Sequence, residues 1–400
     1  MLILGYILIL KLLYVDCLIF KVHPDAGLNI PQLLTKYGYP VEIHDIITED
    51  GYIITIFRIP HGKNSTKVHK YPVILFPGTC GCSENFVATG PEHAIGFYLS
   101  DKGFDVWLAN NRGNRHARKH KTLNPEKDRK FWNFGWHEVA IYDTPSIIDY
   151  VLRVSNASQI FYIGHSQGTT TFLAMAADKP EYNKKVKLSI QLAPTCFLNY
   201  TKTIARVLGK HSLLLENLAR TLDFYVLFAR PINDFLNNLA RTFCSEMTIF
   251  VDLCYLILYF FNYNSQNLID PMHAQLVLQS SPAGCSFKEL LHYLQIIDSG
   301  TFSKYDYGPK KNLKYYGEKK PPLYNLSQIT SPMSLFSAKG DLLVPQKGAR
   351  VLAKMLPNLE SLYIVPNEDF NHVDFIFSSV TKELVNKPIY ELFVKYINKD

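Results

Sequence analysis

Residues 159–177 read QIFYIGHSQGTTTFLAMAA. Gln159–Ile163 is apolar after its first residue, as a short buried strand is. Thr169–Ala177 is made of small and apolar residues and reads as a helix. Between them stands Gly164-His165-Ser166-Gln167-Gly168, a G-x-S-x-G pattern. Five-residue matches occur by chance, and a plain Gly/Ser turn is the bland reading. The flanking strand and helix argue for more. A sharp strand-to-helix turn would lift the Ser166 hydroxyl above the sheet, at the positive end of the following helix. The turn needs glycine at 164 and 168, because a Cβ at either would clash.

The αβ rhythm extends on both sides. Glu42–Ile47 and Tyr52–Ile59 read as strands joined by the turn Glu49-Asp50-Gly51. Pro72–Phe76 and Phe104–Leu108 are further short apolar runs, and Leu188–Leu192, Pro332–Ser337 and Ser361–Val365 read as further strands. His137–Leu152 reads as a helix despite Pro145, and 381–397 as a terminal helix. Strands alternating with helices imply an α/β fold with a mostly parallel sheet. Residues 196–320 break the rhythm, with helix-like periodicity and no clear strand. Such an insertion reads as a helical cap and lid over the carboxyl edge of the sheet. Its apolar run Ile249–Phe261, thirteen residues with an internal Asp, is too short to span a membrane.

A serine hydroxyl needs a base, and the base needs an orienting carboxylate. After this kind of turn they follow in the order acid, then His. Asp341 stands just past the strand PMSLFS, and His372 just past SLYIV. Ser166, Asp341 and His372 would therefore meet at the carboxyl edge. Asp369 and Asp374 are rivals for the acid, but they lie too close to His372 in sequence to reach the far side of its ring. His165 is expected to point away from the serine into the core. An oxyanion needs backbone N–H donors. Gln167, after the nucleophile, and Thr79, in the loop Pro77-Gly78-Thr79-Cys80-Gly81, are the candidates.

Composition bounds the rest. The 400 residues are 47% apolar and 19% charged, which excludes a largely disordered chain. Seven cysteines without a CxxC disfavour a disulfide scaffold or a zinc cluster, and no metal or cofactor is expected. The net charge of +7 gathers partly at Arg112, Arg115, Arg118, Lys119 and Lys121. No helix-turn-helix, RNP-type or zinc-finger pattern accompanies that cluster, so it reads as solvated loops and no nucleic-acid partner is expected. Residues 1–20, MLILGYILILKLLYVDCLIF, read as an export signal, with an uncleaved anchor as the competing reading. Sequons at Asn64, Asn156, Asn199 and Asn325 agree with a secreted or lysosomal destination as possible N-glycosylation sites. In an oxidising compartment Cys244 and Cys254, ten apart in one segment, are the expected disulfide. Cys80 and Cys82 have three readings: free thiols, a pair with one another, or pairs with Cys196 or Cys285.

The chain resembles the acid lipase family, which includes gastric lipase, lysosomal acid lipase and insect midgut relatives. The resemblance runs from about Tyr37 to the end. It is carried by GYPVEIHDIITEDGYIITIFRIPHG, GFDVWLANNRGN, FWNFGWHEVAIYDTPSIIDYV, GHSQGTTTFLAMAA, SPAGCSFKELLHYLQIIDSGTFSKYDYG and NHVDFIF. It implies an α/β-hydrolase fold, an eight-stranded sheet with an inserted cap, and hydrolysis of triacylglycerols or cholesteryl esters at a lipid–water interface. It also implies the triad Ser166, Asp341 and His372, oxyanion donors at Gln167 and Thr79, and a cap disulfide like Cys244–Cys254. The family usually has His-Gly-Leu where this chain has Pro77-Gly78-Thr79.

The expected division is a signal at 1–20, core at 21–195 and 321–400, and cap at 196–320. The expected activity is serine ester hydrolysis of long-chain acyl esters, with the cap making peripheral contact with lipid. A carboxylesterase for small soluble esters and a catalytically silent lipid-binding protein are the alternatives.

Overall fold

Strands buried on both faces build the centre of the molecule, in a computed structural model that describes residues 23–229, 234–235, 238 and 271–399. The expected signal at 1–20, the run 249–261 and the expected pair Cys244–Cys254 lie outside the described residues. Eight strands form the main sheet: β1 (Glu42–Ile47), β2 (Tyr52–Ile59), β3 (Val73–Phe76), β4 (Val106–Leu108), β5 (Ile160–His165), β6 (Val186–Leu192), β7 (Met333–Ser337) and β8 (Leu359–Ile364). Their spatial order is β1-β2-β4-β3-β5-β6-β7-β8, and a two-residue segment, Lys119–His120, adds to β2. β1 pairs antiparallel with β2 and β2 with β4; from β4 to β8 every pairing is parallel.

The inner parallel strands β3 to β7 are buried almost throughout because both faces are covered, whereas the edge strand β8 is half-buried. Val73, Leu75, Phe161, Ile163, Leu188 and Ile190 face one layer, and Ile74, Phe76, Ile160, Tyr162, Met333 and Leu335 the other. The first layer is closed by α1 (Ile95–Asp101) and the terminal helix; the second by α2 (Thr144–Val154) and α3 (Gln167–Asp178). Between β6 and β7 come α4 (Ser212–Thr221), α5 (Pro271–Ser280), α6 (Phe287–Ser299) and α7 (Pro309–Tyr316); α8 (Gln346–Met355) and α9 (Lys387–Ile397) follow. The described residues of this stretch are largely helical, and they also hold a two-residue ribbon in which Val226–Leu227 pairs with Cys285–Ser286. No described helix is long and apolar enough to cross a membrane.

One expectation is refined and one needs correction. The helix expected over 137–152 is present and runs without a gap from Trp136 to Val154. Val139–Asp143 forms a wide turn within it, in which the Thr144 N–H bonds the Val139 carbonyl, and α2 continues with Pro145 in its first turn. Proline has no N–H to give a regular helix, and this register shift removes the need for one. The terminal helix repeats the device: Lys382–Asn386 is a wide turn and α9 has Pro388 in its first turn. The basic cluster is only in part a solvated surface: Lys119 and Lys121 are exposed, but the arginines are drawn inward. Arg112 is buried, with Nε 2.8 Å from Asp143 and Nη1 2.6 Å from Asp50. Arg118 donates to the carbonyls of Gly113 and Phe228.

Among the sequons, Asn64, Asn156 and Asn325 are exposed, whereas Asn199 is half-buried against Gly300. For Cys80, one of the open pairings is realised: it is bonded to Cys285 across 205 residues of chain. Cys82 and Cys196 are buried free thiols, and the Cys82 thiol lies 3.1 Å from the Ser280 carbonyl.

Candidate active site

Parallel strands deliver their carboxyl ends to one edge, and there the chain brings Ser166, Asp341 and His372 together. β5 runs directly into Ser166, whose backbone sits at φ 51° and ψ −116°, and α3 begins at the next residue. A positive φ at a residue with a side chain costs on the order of 1–3 kcal/mol and persists only where the surroundings impose it. Here they do. The Ser166 N–H donates to the Leu192 carbonyl, and its own carbonyl accepts the hydroxyls of Thr169 and Thr195 at 2.5 and 2.8 Å. A Cβ at Gly164 would lie 2.6 Å from the Gly168 backbone, and one at Gly168 would lie 2.4 Å from the Phe76 carbonyl oxygen. Neither distance is tolerable for a side chain, which accounts for both glycines.

His372 Nε2 stands 2.9 Å from Ser166 Oγ, and His372 Nδ1 is 2.9 Å from Asp341 Oδ2. The other Asp341 oxygen accepts the backbone N–H groups of Leu343 and Val344 at 3.0 and 2.7 Å. That carboxylate is therefore oriented by its own loop before it meets the imidazole. The rivals are elsewhere. Asp374 accepts the Asn371 N–H, and Asp369 is exposed. His165 is buried, and its Nε2 donates to the His372 carbonyl at 2.9 Å. Burial, with neighbouring His372, pushes its imidazole down to about 3, so it is neutral and carries its proton on Nε2.

The loop after β3 closes over the serine. A Cβ at Gly78 would touch Ser166 Cβ at 3.0 Å, so glycine allows this approach. Thr79 follows Gly78 in this loop, and Gln167 follows Ser166. Among the described residues, no group accepts the backbone N–H of either. Their side chains meet: Thr79 Oγ1 donates to Gln167 Oε1 at 2.9 Å.

A cavity of about 490 Å³ opens on Ser166 and His372. Its walls are mostly apolar, with Leu198, Leu290, Leu294 and Ile297 among them and Val277 and Phe377 also contributing. Its size falls in the range of about 300–1,000 Å³ usual for small-molecule sites. Other pockets, beside Arg115 and near Tyr305, have none of the Ser–His–Asp geometry. Among the described residues no set of three His, Cys, Asp or Glu side chains is placed to hold a metal.

Sequence reasoning did not find Thr169 and Thr195, which hold the strained serine, nor Glu289. Glu289 is buried at the start of α6. Its Oε2 accepts the Ser286 N–H at 2.8 Å, and its Oε1 accepts Gln167 Nε2 at 2.6 Å. The pattern Ser286-x-x-Glu289 was a readable helix-start signal. Burial pushes the carboxyl up to about 8, outweighing the two donors that favour its charged form.

A stability prediction follows from that shift. Above about 4.5, the ordinary value, the unfolded chain loses this proton, while the folded chain keeps it to about 8. The contribution of Glu289 is thus full below pH 4.5 and is lost as pH rises toward 8. Thermal unfolding midpoints of wild type and Glu289→Gln, followed across that window, should converge as pH rises. Buried His137, His165 and His292, all shifted down, act with the opposite sign in both proteins and cancel in the difference. Parallel curves would contradict the assignment.

Comparison with known proteins adds an independent line. The model for the alpha/beta hydrolase fold matches residues 71–377, and that for a partial alpha/beta-hydrolase lipase region matches residues 30–90. Lipase 1 of Drosophila melanogaster is 34% identical over 375 residues, covering 94% of this chain and 82% of the relative. Gastric triacylglycerol lipase of Bos taurus is 34% identical over 384 residues, covering 95% of each. A solved structure described as a lipase from Sulfolobus solfataricus shares the fold, with a TM-score of 0.54 at 17% identity, covering 89% of this chain and 94% of that one.

Proposed function

The chain belongs to the α/β-hydrolase lipases, and from that membership we propose that this serine ester hydrolase cleaves long-chain acyl esters, triacylglycerol or cholesteryl ester, through an acyl-enzyme on Ser166. The observation that carries the reading is the apolar 490 Å³ cavity that ends on a serine hydroxyl hydrogen-bonded to a histidine. An acyl chain has only apolar surface to bury, and such a lining matches it.

In the proposed mechanism His372 Nε2 takes the Ser166 proton as Oγ attacks the ester carbonyl. The peptide N–H groups of Gln167 and Thr79 hold the oxyanion. His372 then protonates the leaving alcohol. A water gives its proton to His372, attacks the acyl-enzyme and releases the fatty acid. Asp341 keeps the Nδ1 proton in place and stabilises the imidazolium.

Residues 196–320 act as the cap in this reading, with 21–195 and 321–400 as the core. Leu213, Leu214, Leu218 and Leu222 of α4 and its end are all at least half exposed. That apolar face supports peripheral contact between the cap and a lipid surface. The proposed setting is secreted or lysosomal, where the Cys80–Cys285 bond can persist.

The test is a hydrolysis panel of long-chain triacylglycerols, cholesteryl esters and short soluble esters, run from acid to neutral pH. Activity should rise once a long-chain substrate exceeds its solubility. A preference for short soluble esters would make the protein a carboxylesterase. A chain inert to a fluorophosphonate yet able to bind lipid would be a silent binder.

A further inference from the structure

Gln167 is fully buried, so both ends of its carboxamide must be satisfied from within the protein. One end is held by the hydroxyl of Thr79 at 2.9 Å, the other by the carboxyl of Glu289 at 2.6 Å. Glu289 also receives the N–H of Ser286, whose neighbour Cys285 is bonded to Cys80, which is itself the neighbour of Thr79. The Cys80 carbonyl accepts the Ala283 N–H besides. These links close a circuit of six residues: Thr79, Gln167, Glu289, Ser286, Cys285 and Cys80. It joins the loop after β3, the start of α3 and the start of α6. Two of its members are the residues whose backbone N–H groups face no other acceptor among the described residues. An apolar residue at 79 would fill the same space but leave Gln167 Oε1 without its donor, so the circuit governs the carboxamide's orientation rather than the packing.

The geometry points to Thr79 and Glu289 as positioning residues for the ester hydrolysis: their side chains grip the two ends of the Gln167 carboxamide and so hold the Gln167 and Thr79 peptides in the orientation that receives the oxyanion, with α6 as the anchor. This rests on the reading of Ser166 as nucleophile. The hydrogen bonds that matter form fully only with the tetrahedral intermediate, so misalignment should lower kcat and leave KM nearly unchanged.

Thr79→Val keeps the side-chain shape and deletes the hydroxyl. With rates normalised to active sites titrated by a fluorophosphonate, its kcat on a long-chain ester should fall about tenfold with KM within about twofold, a modest misplacement of a catalytic group being worth that much. Thr79→Ser, which restores the hydroxyl, should recover most of the loss. Inhibition by a long-chain boronic acid, which forms a tetrahedral adduct, should weaken by the same factor as kcat/KM. Glu289→Gln presents an N–H2 to one of two N–H donors and should also lower kcat. Because both side chains act through Gln167, the double variant should lose less than the product of the single losses. A Thr79→Val enzyme with wild-type kcat per titrated site, a Thr79→Ser enzyme no better than Thr79→Val, or losses that simply multiply would each overturn the assignment. Failure of the underlying reading looks different: the wild type would not titrate at all, or Ser166→Ala would keep its turnover.

Discussion

Ser166→Ala is expected to lower turnover of long-chain esters by a factor on the order of 10⁶, the cost of removing a nucleophile from such a triad. The reason is local. The Ser166 side chain engages no described partner except His372 Nε2. Alanine therefore removes one oxygen and leaves the elbow in place. The contacts that impose its φ of 51° run through the backbone of residue 166, to the Leu192 carbonyl and the Thr169 and Thr195 hydroxyls. Thermal stability should accordingly be retained, and a weak residual activity over water should remain from the oxyanion donors and the cavity. Kinetics with a fluorogenic long-chain ester, beside an unfolding curve, read both. Turnover within tenfold of wild type would remove Ser166 from the nucleophile role.

Asp341→Asn is expected to cost about 10⁴ in kcat with little change in fold. The loop around residue 341 decides which way an amide would turn. Two backbone N–H groups, of Leu343 and Val344, point at Oδ1. An asparagine must offer its oxygen to them, since its N–H2 there would set donor against donor. Its N–H2 is then left facing His372 Nδ1, where Asp341 Oδ2 accepted a proton at 2.9 Å. The imidazole can accept that N–H only by moving its own proton to Nε2, the nitrogen that must take the proton of Ser166. The variant would thus hold a well-ordered histidine in the wrong tautomer. NMR of the imidazole nitrogens would report the switch directly. An Asp341→Asn enzyme within a factor of ten of wild type would show that another group orients the base.

The sheet was legible because its physics is local. β3 to β7 are buried almost throughout, so each appears in the sequence as a short, largely apolar segment between turn residues, with a few serines and a glutamine in β6 and β7. Ser166, Asp341 and His372 were legible for a related reason: each stands just past the end of such a run, and parallel strands send those ends to one edge. What sequence could not show depends on partners far away in the chain. Pro145 marked trouble in a helix but not its solution, a wide turn one step earlier. Arg112 read as surface charge, yet Asp50 and Asp143, 62 and 31 residues off, take it into the core. Glu289 went unread, because its acceptance of Gln167 spans 122 residues. For Cys80 several partners were open, since spacing does not decide connectivity.

The Cys80–Cys285 bond also gives the covalent chain a shape of its own. Residues 80 to 285 form a ring, and the two chain ends leave it as tails. Ser166 and Gln167 lie on the ring; Asp341 and His372 lie on the carboxyl tail, and Thr79 sits one bond outside the ring on the other. A protease that cuts any single peptide bond inside the ring therefore separates nothing. The nicked molecule keeps Ser166 covalently tethered to His372, and its two pieces part only when a reductant follows the cut. A first nick inside the ring is thus survivable by covalent topology.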